Sequence, residues 1–215
     1  MKTRTIAVLG AGPGLGNHIG KEFGSHGFRV VLLARREAAL KDYVKELRES
    51  GIEGDYQVTD CADNDSIKSA LAAISQKYGG VDVLAYNTAV LQGGSPLQLT
   101  PEELVKRYQV DVAGALCAVQ QVVPYMKEQK DGAILLTGGG LALNPEPAVL
   151  SVSVHKAALR ALATALHKEL SGDGIYTGIL NVKGGIGSND YYSPARIAAL
   201  FYKMYEERNE TEITY

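Results

Sequence analysis

Several features that mark protein classes are scarce or missing in this chain. There are two cysteines in 215 residues, Cys61 and Cys117, far apart and without metal-ligand spacing. A disulfide framework is therefore not expected, no metal site is assigned, and reduced thiols suggest a cytoplasmic protein. The formal net charge is only −2, with the charged residues spread along the chain, so no basic face for nucleic acid is expected. No apolar run approaches the length of a membrane span. The run after Lys2 and Arg4 is too short for a secretory leader and passes straight into a glycine-rich turn. There is no low-complexity tract, linker or composition break, which makes residues 1–215 one expected domain with room for a large core.

What is present is organised around the N-terminal stretch. Ile6 to Leu9 reads as a buried strand, and Gly10, Gly12, Gly14 and Gly16 follow within seven residues. Leu15, Ile19 and Phe23 then recur every fourth residue, one face of a helix. A strand, a glycine-rich turn and a helix N-terminus together suit a phosphate. Glycine lets the backbone approach, and the helix offers free N–H groups and the positive end of its dipole. That context, rather than the glycines alone, carries the nucleotide reading for Gly10, Gly12, Gly14, Leu15 and Gly16. Glycines that merely permit a tight turn are the plainer alternative.

The same alternation continues along the chain. Strands are expected at Phe28 to Leu33, Glu53 to Val58, Val81 to Tyr86, Ala133 to Thr137, Ile175 to Val182 and, shorter, Glu210 to Tyr215. Helices are expected over about 37–49, 63–78, 102–127, 151–170 and 194–207, the second capped by Asp63. Thr100-Pro101-Glu102-Glu103 is a helix start: a cap, a proline in the first turn, then acids. Strands alternating with helices predict an α/β fold, a Rossmann-type doubly wound parallel sheet of about seven strands with helices on both faces. In such sheets the ligand sits beyond the carboxyl ends of the strands. Attention therefore falls on the Gly10 turn, Ala34 to Arg36, Asp60, Asn87, Gly138 to Gly140 and Val182 to Ser188.

Strand two ends Ala34-Arg35-Arg36, with no acid before Glu37. A carboxylate there would hold ribose hydroxyls and repel a 2′-phosphate, whereas arginine attracts one and can bond it bidentately. Arg35 and Arg36 thus favour NADP(H) over NAD(H). A solvated helix start is the plainer reading, although arginine at a helix N-terminus opposes the dipole. Asp60 is placed to accept a hydrogen bond from an adenine amino group, or else to cap the following helix.

With these residues assembled, the chain resembles the short-chain dehydrogenase/reductase family over nearly its whole length. The family's T-G-x-x-x-G-x-G stands here as Leu9-Gly10-Ala11-Gly12-Pro13-Gly14-Leu15-Gly16. Its N-N-A-G stands as Tyr86-Asn87-Thr88-Ala89, and its P-G-x-x-x-T as Lys183-Gly184-Gly185-Ile186-Gly187-Ser188. The resemblance implies that Asn87 belongs to the cofactor site and that Ser188 meets the nicotinamide carboxamide. In the family's Y-x-x-x-K, tyrosine moves the proton, and lysine tunes it and holds the nicotinamide ribose. Here Lys156 matches the lysine, but Val152 stands in the tyrosine slot and Gly139 in the serine slot. Asp111, in Val110-Asp111-Val112-Ala113-Gly114, replaces the family's asparagine and is expected to bond a neighbouring backbone group at a local helix distortion.

Valine can neither donate a proton nor hydrogen-bond an alkoxide, so the family's usual alcohol chemistry is not expected to carry over intact. Lys156, with Asp111 as a weaker candidate, remains the catalytic assignment. Tyr86, Tyr191 and Tyr192 are possible substitutes for the acid, each more simply read as packing or loop surface. His155 is expected on a helix flank or at a subunit contact, Ser151 as a helix cap, and His18 and His26 as solvated helix residues. Two functions stay open: an oxidoreductase with a non-standard acid and an unnamed small-molecule substrate, and a non-catalytic dinucleotide sensor or structural module. An epimerase or dehydratase is a weaker third, because such relatives use the same tyrosine and lysine. By the same resemblance, the helices at 102–127 and 151–170 pair subunits into a homodimer or homotetramer. Ala157, Ala158, Ala161, Ala163 and Ala165 allow close helix approach, though burial against the chain's own sheet explains them too.

Overall fold

The computed structural model describes residues 2–215; Met1, the first residue of the expected domain span, lies outside them. Seven strands form one sheet in the order β3-β2-β1-β4-β5-β6-β7, every neighbouring pair parallel. They are β1 (Thr5–Leu9), β2 (Arg29–Ala34), β3 (Gly54–Val58), β4 (Val83–Tyr86), β5 (Gly132–Thr137), β6 (Ile175–Asn181) and β7 (Glu212–Thr214). The strand order reverses between β1 and β4, which opens a crevice at their carboxyl ends.

Side chains alternate across the pleat and build a core on each face. Ile6 and Val8 of β1 face one cluster, Ala7 and Leu9 the other. The first cluster is closed by α1 (Leu15–Ser25), α2 (Glu37–Glu49) and α7 (Pro194–Glu207). The second is closed by α3 (Asn64–Tyr78), α5 (Gly114–Gln129) and α6 (Leu150–Leu170). Ile19 and Phe23 of α1 are fully buried, as their spacing predicts, each contributing about 1.5–3 kcal/mol. The α3 start is capped as expected, Asp63 Oδ1 accepting from Asp65 N–H at 2.9 Å.

The expected continuous helix over 102–127 is three segments. The first is α4 (Pro101–Tyr108), capped by Thr100 Oγ1 on the Glu103 N–H. A π-helical turn, Gln109–Ala113, follows and leads into α5. The wider turn follows from Asp111. Its carboxylate is buried and must reach partners outside its own helix, and π turns of this kind cluster at functional sites.

Candidate functional site

The crevice at the β1–β4 switch point is a cleft of about 1080 Å³. Gly10 and Ala11 line it at the end of β1, Arg35 and Arg36 at the end of β2, Asp60 and Cys61 after β3, and Asn87 after β4. Five sequence-predicted residues are therefore brought together: Gly10, Arg35, Arg36, Asp60 and Asn87. Asp60 does not cap α3, a role that falls to Asp63; it turns its Oδ1 onto the Ala62 N–H at 3.0 Å.

The glycine turn has a rigid half and an open half. A methyl group on Gly16 would sit 2.5 Å from the Gly10 carbonyl oxygen, and Gly10 itself has φ +83 with Asn87 directly against it. Gly12 and Gly14 have nothing within 4 Å of where a side chain would start. No side chain caps α1 and no acid occupies its first turn. The Asn17 N–H is taken by the Gly12 carbonyl at 3.2 Å and no side chain caps the helix start, which beside open space is an arrangement that fits a phosphate group. Leu15 is buried beneath the turn and holds it to the core.

Asn87 ties two strand ends together. Its Nδ2 donates to the Gly10 carbonyl at 3.2 Å, and its Oδ1 accepts from Thr137 Oγ1 at 2.9 Å. Lys156 reaches the same place from α6, its Nζ donating to the Thr137 carbonyl at 2.6 Å. Burial pulls the Lys156 ammonium down to about 8, with the Asp111 carboxylate opposing the shift. Val152 lies one helical turn before Lys156 and is also buried. Gly139, beside the lysine stem, leaves an ordinary contact distance of 3.4 Å to Lys156 Cγ for any side chain placed there.

Asp111 bonds a neighbouring backbone group as expected, its Oδ1 accepting from the Val90 N–H at 2.9 Å. Its other oxygen meets an unexpected partner, His155 Nδ1, at 2.9 Å. His155 is therefore neither on a helix flank nor at a subunit contact; it is fully buried, and among the described residues its Nε2 has no hydrogen-bond partner. Ser151 is not the cap of α6 either. It lies buried within the first turn and accepts from Arg107 Nη1 at 3.1 Å. The same Nη1 donates to the Gln92 carbonyl at 3.2 Å. Arg107 and Asp111 are four apart, as are Ser151 and His155, so two polar rungs cross between the helices. Each rung also holds the segment after β4. A buried acid in an apolar helix demands a partner, and that demand is the signal that could have located His155.

The remaining sequence candidates lie elsewhere. Tyr86 is buried with its hydroxyl on the Val110 carbonyl, and burial raises it well above the ordinary tyrosine range, so it is no acid for the cleft. Tyr191 is stacked on Tyr215 at 4.4 Å, and Tyr192 packs edge-on against both. Ser188 sits exposed in a turn, its N–H on the Gly185 carbonyl at 2.9 Å, outside the walls of the cleft. His18 is half-buried rather than solvated and bonds the Gly14 carbonyl at 2.8 Å; His26 is exposed but stacks on Tyr202. Cys61 lines the cleft, yet burial pushes its thiol up to about 12, which removes it as a nucleophile. Among the described residues no cluster of His, Cys, Asp and Glu could hold a metal, and no helix is long and apolar enough to cross a membrane.

The seven-stranded parallel order, the glycine turn at its switch point and the buried α6 lysine define a Rossmann-type dinucleotide-binding fold. Residues 4–186 match the short chain dehydrogenase family, and the chain belongs to it. A short chain dehydrogenase of Pseudocercospora fijiensis is 30% identical over 196 residues, covering 88% of this chain and 63% of that protein. Human short-chain dehydrogenase/reductase 3 is 27% identical over 167 residues, covering 77% of this chain and 55% of that one. The chain thus spans a little over half the length of these curated relatives. An actinorhodin polyketide ketoreductase solved with NADPH superposes with a TM-score of 0.92 at 22% identity, covering 100% of this chain and 97% of that one. A metagenomic short-chain oxidoreductase in complex with NADP gives 0.90 at 24% identity, covering 100% and 96%. At such identities these two structures speak to the fold.

Proposed function

We propose that the chain binds NADP(H) in the β1–β4 cleft and is an oxidoreductase that works without the family's tyrosine acid. The observation that carries the reading is an uncapped glycine turn whose Gly10 and Ala11 line the same cleft as Arg35 and Arg36, at the ends of two neighbouring strands. The turn at Gly12 and Gly14 receives phosphate, and the two guanidinium groups suit a 2′-phosphate. Two proteins of this fold were solved with NADPH and with NADP, which supports a dinucleotide as the ligand. Asp60 is the acceptor for the adenine amino group, and Lys156 holds the nicotinamide ribose. Ser188 reaches the carboxamide only if its loop moves, since its turn is outside the cleft walls.

When bound, the dinucleotide supplies or accepts a hydride. The protein's part is to position it and to manage the proton. Val152 contributes nothing to the proton. Lys156, drawn down to about 8 and donating to the Thr137 carbonyl, is a buried group that can hold or release a proton close to neutral pH. A non-catalytic dinucleotide sensor is the second reading, favoured by the Lys156 ammonium being already engaged with the Thr137 carbonyl. We place the chain in the cytoplasm as a homodimer or homotetramer. Ala157, Ala161 and Ala165 form an exposed small-residue stripe on α6, near exposed Val154, and support such assembly, whereas Ala163 is buried against the sheet.

The test is NADPH oxidation against a panel of carbonyl compounds, in the wild type and in Gly139→Ser/Val152→Tyr. Turnover in the wild type that is lost in Lys156→Met supports the enzyme. Turnover only in the double variant, by about 100-fold or more, supports the sensor, because restoring a positioned acid returns two to four decades.

A further inference from the structure

A second cavity, of about 200 Å³, adjoins the cleft between the segment after β4, α4 and the start of α6. Gln92, Glu103 and Arg107 line both spaces, so the two adjoin. Its charged lining is Glu103 and Arg107, the latter 9% exposed. A buried guanidinium has five N–H donors and requires compensation of its charge. Here only Nη1 is hydrogen-bonded, and to two neutral oxygens, Gln92 O and Ser151 Oγ. Among the described residues Nε has no acceptor. Nη2 meets only Glu103 Oε2, at 3.8 Å, and the Glu103 carboxylate is half in solvent. Arg107 is thus held by two neutral contacts and one long ion pair to Glu103, which leaves its N–H edge able to take an acid at closer range.

We propose that this cavity is an anion subsite, in which Arg107 receives the carboxylate of a small-molecule substrate carried in the adjoining cleft. Guanidinium is suited to the task, because its planar fork takes a carboxylate bidentately. The Ser151 and Gln92 contacts fix the fork, so little freedom is lost on binding. The cavity suits a group of a few atoms rather than a second nucleotide. Ser151 stands on α6, the helix that also carries Lys156. Glu103 is the competing anion and weakens the site. The name substrate rests on the reading of the cleft as a dinucleotide site; the affinity for a carboxylate does not.

The experiment is ligand-observed NMR titration of the intact chain, without dinucleotide, using acetate and pyruvate at constant ionic strength set with chloride. NADPH titration of the same samples reports separately on the dinucleotide reading. The wild type is expected to bind both carboxylates, and Arg107→Gln to lose about tenfold or more, the worth of one charged hydrogen bond. Glu103→Gln, at a half-exposed position that leaves the fold alone, is expected to bind about threefold tighter by removing the rival carboxylate. Arg35→Ala/Arg36→Ala is expected to leave carboxylate binding unchanged. No binding by the wild type, no tightening in Glu103→Gln, or loss of binding in the Arg35/Arg36 variant instead would overturn the proposal. If Arg107→Gln does not fold, the Glu103→Gln result decides.

Discussion

Asp111 Oδ2 and His155 Nδ1 stand 2.9 Å apart with both side chains almost wholly buried, so a charged or strongly polar pair closes the seam between the π turn and α6. The pair does more than join helices. Through Asp111 Oδ1 it also fixes Val90, on the segment that walls the cleft. Removing one member of a buried pair strands the other in low dielectric, at about 3–5 kcal/mol. His155→Ala is expected to cost about that much in urea unfolding. Combined with Asp111→Asn, which abolishes the stranded charge, it should cost clearly less than the sum of the two single changes. Additivity to within about 0.5 kcal/mol would show that the two residues are not coupled.

Lys156 gives the chain a pH dependence of definite sign. Its ammonium titrates at about 8 in the folded chain, against 10.5 when free. Below pH 8 both states carry the proton, and the folded state bears the full cost of burying the charge. Between those two values the unfolded chain holds a proton that the folded chain has released, so stability rises with pH by about 3 kcal/mol. Urea unfolding of the wild type and Lys156→Met across that range isolates the effect. The wild type should gain on the variant as pH rises, and parallel curves would contradict the burial of the charge.

The two halves of the glycine turn should respond oppositely to alanine. Gly16→Ala forces a methyl group to 2.5 Å from the Gly10 carbonyl, so the turn must break, with a fall in melting temperature. Gly12→Ala meets nothing within 4 Å and should leave the melting temperature near that of the wild type. Its NADPH affinity should fall about tenfold or more, because the methyl group occupies the space assigned to phosphate. An equal loss of stability in both variants would make the turn purely structural.

The fold was legible because each element announced itself locally. Ile19 and Phe23 showed the helix after the turn, Asp63 and Thr100 marked helix starts, and apolar runs marked the parallel strands. The cleft residues Arg35, Asp60 and Asn87 were legible because strand ends in this architecture converge. What escaped was carried by pairs distant in sequence. His155 looked like a flank residue because its neighbours in sequence say nothing of an acid 44 positions away. Ser151 looked like a cap because its real partner, Arg107, lies on another helix. The local helix distortion at Asp111 was legible, and only its second partner, His155, was hidden for the same reason.

The central claim, that Arg35 and Arg36 with the glycine turn make an NADP(H) site, is tested most directly by fluorescence titration of the purified chain with NADPH and NADH. NADPH should bind more tightly than NADH by about tenfold to a hundredfold, the worth of charged hydrogen bonds to a 2′-phosphate, and Arg35→Ala/Arg36→Ala should erase that preference. Binding of neither nucleotide, or equal binding of both in the wild type, would contradict it.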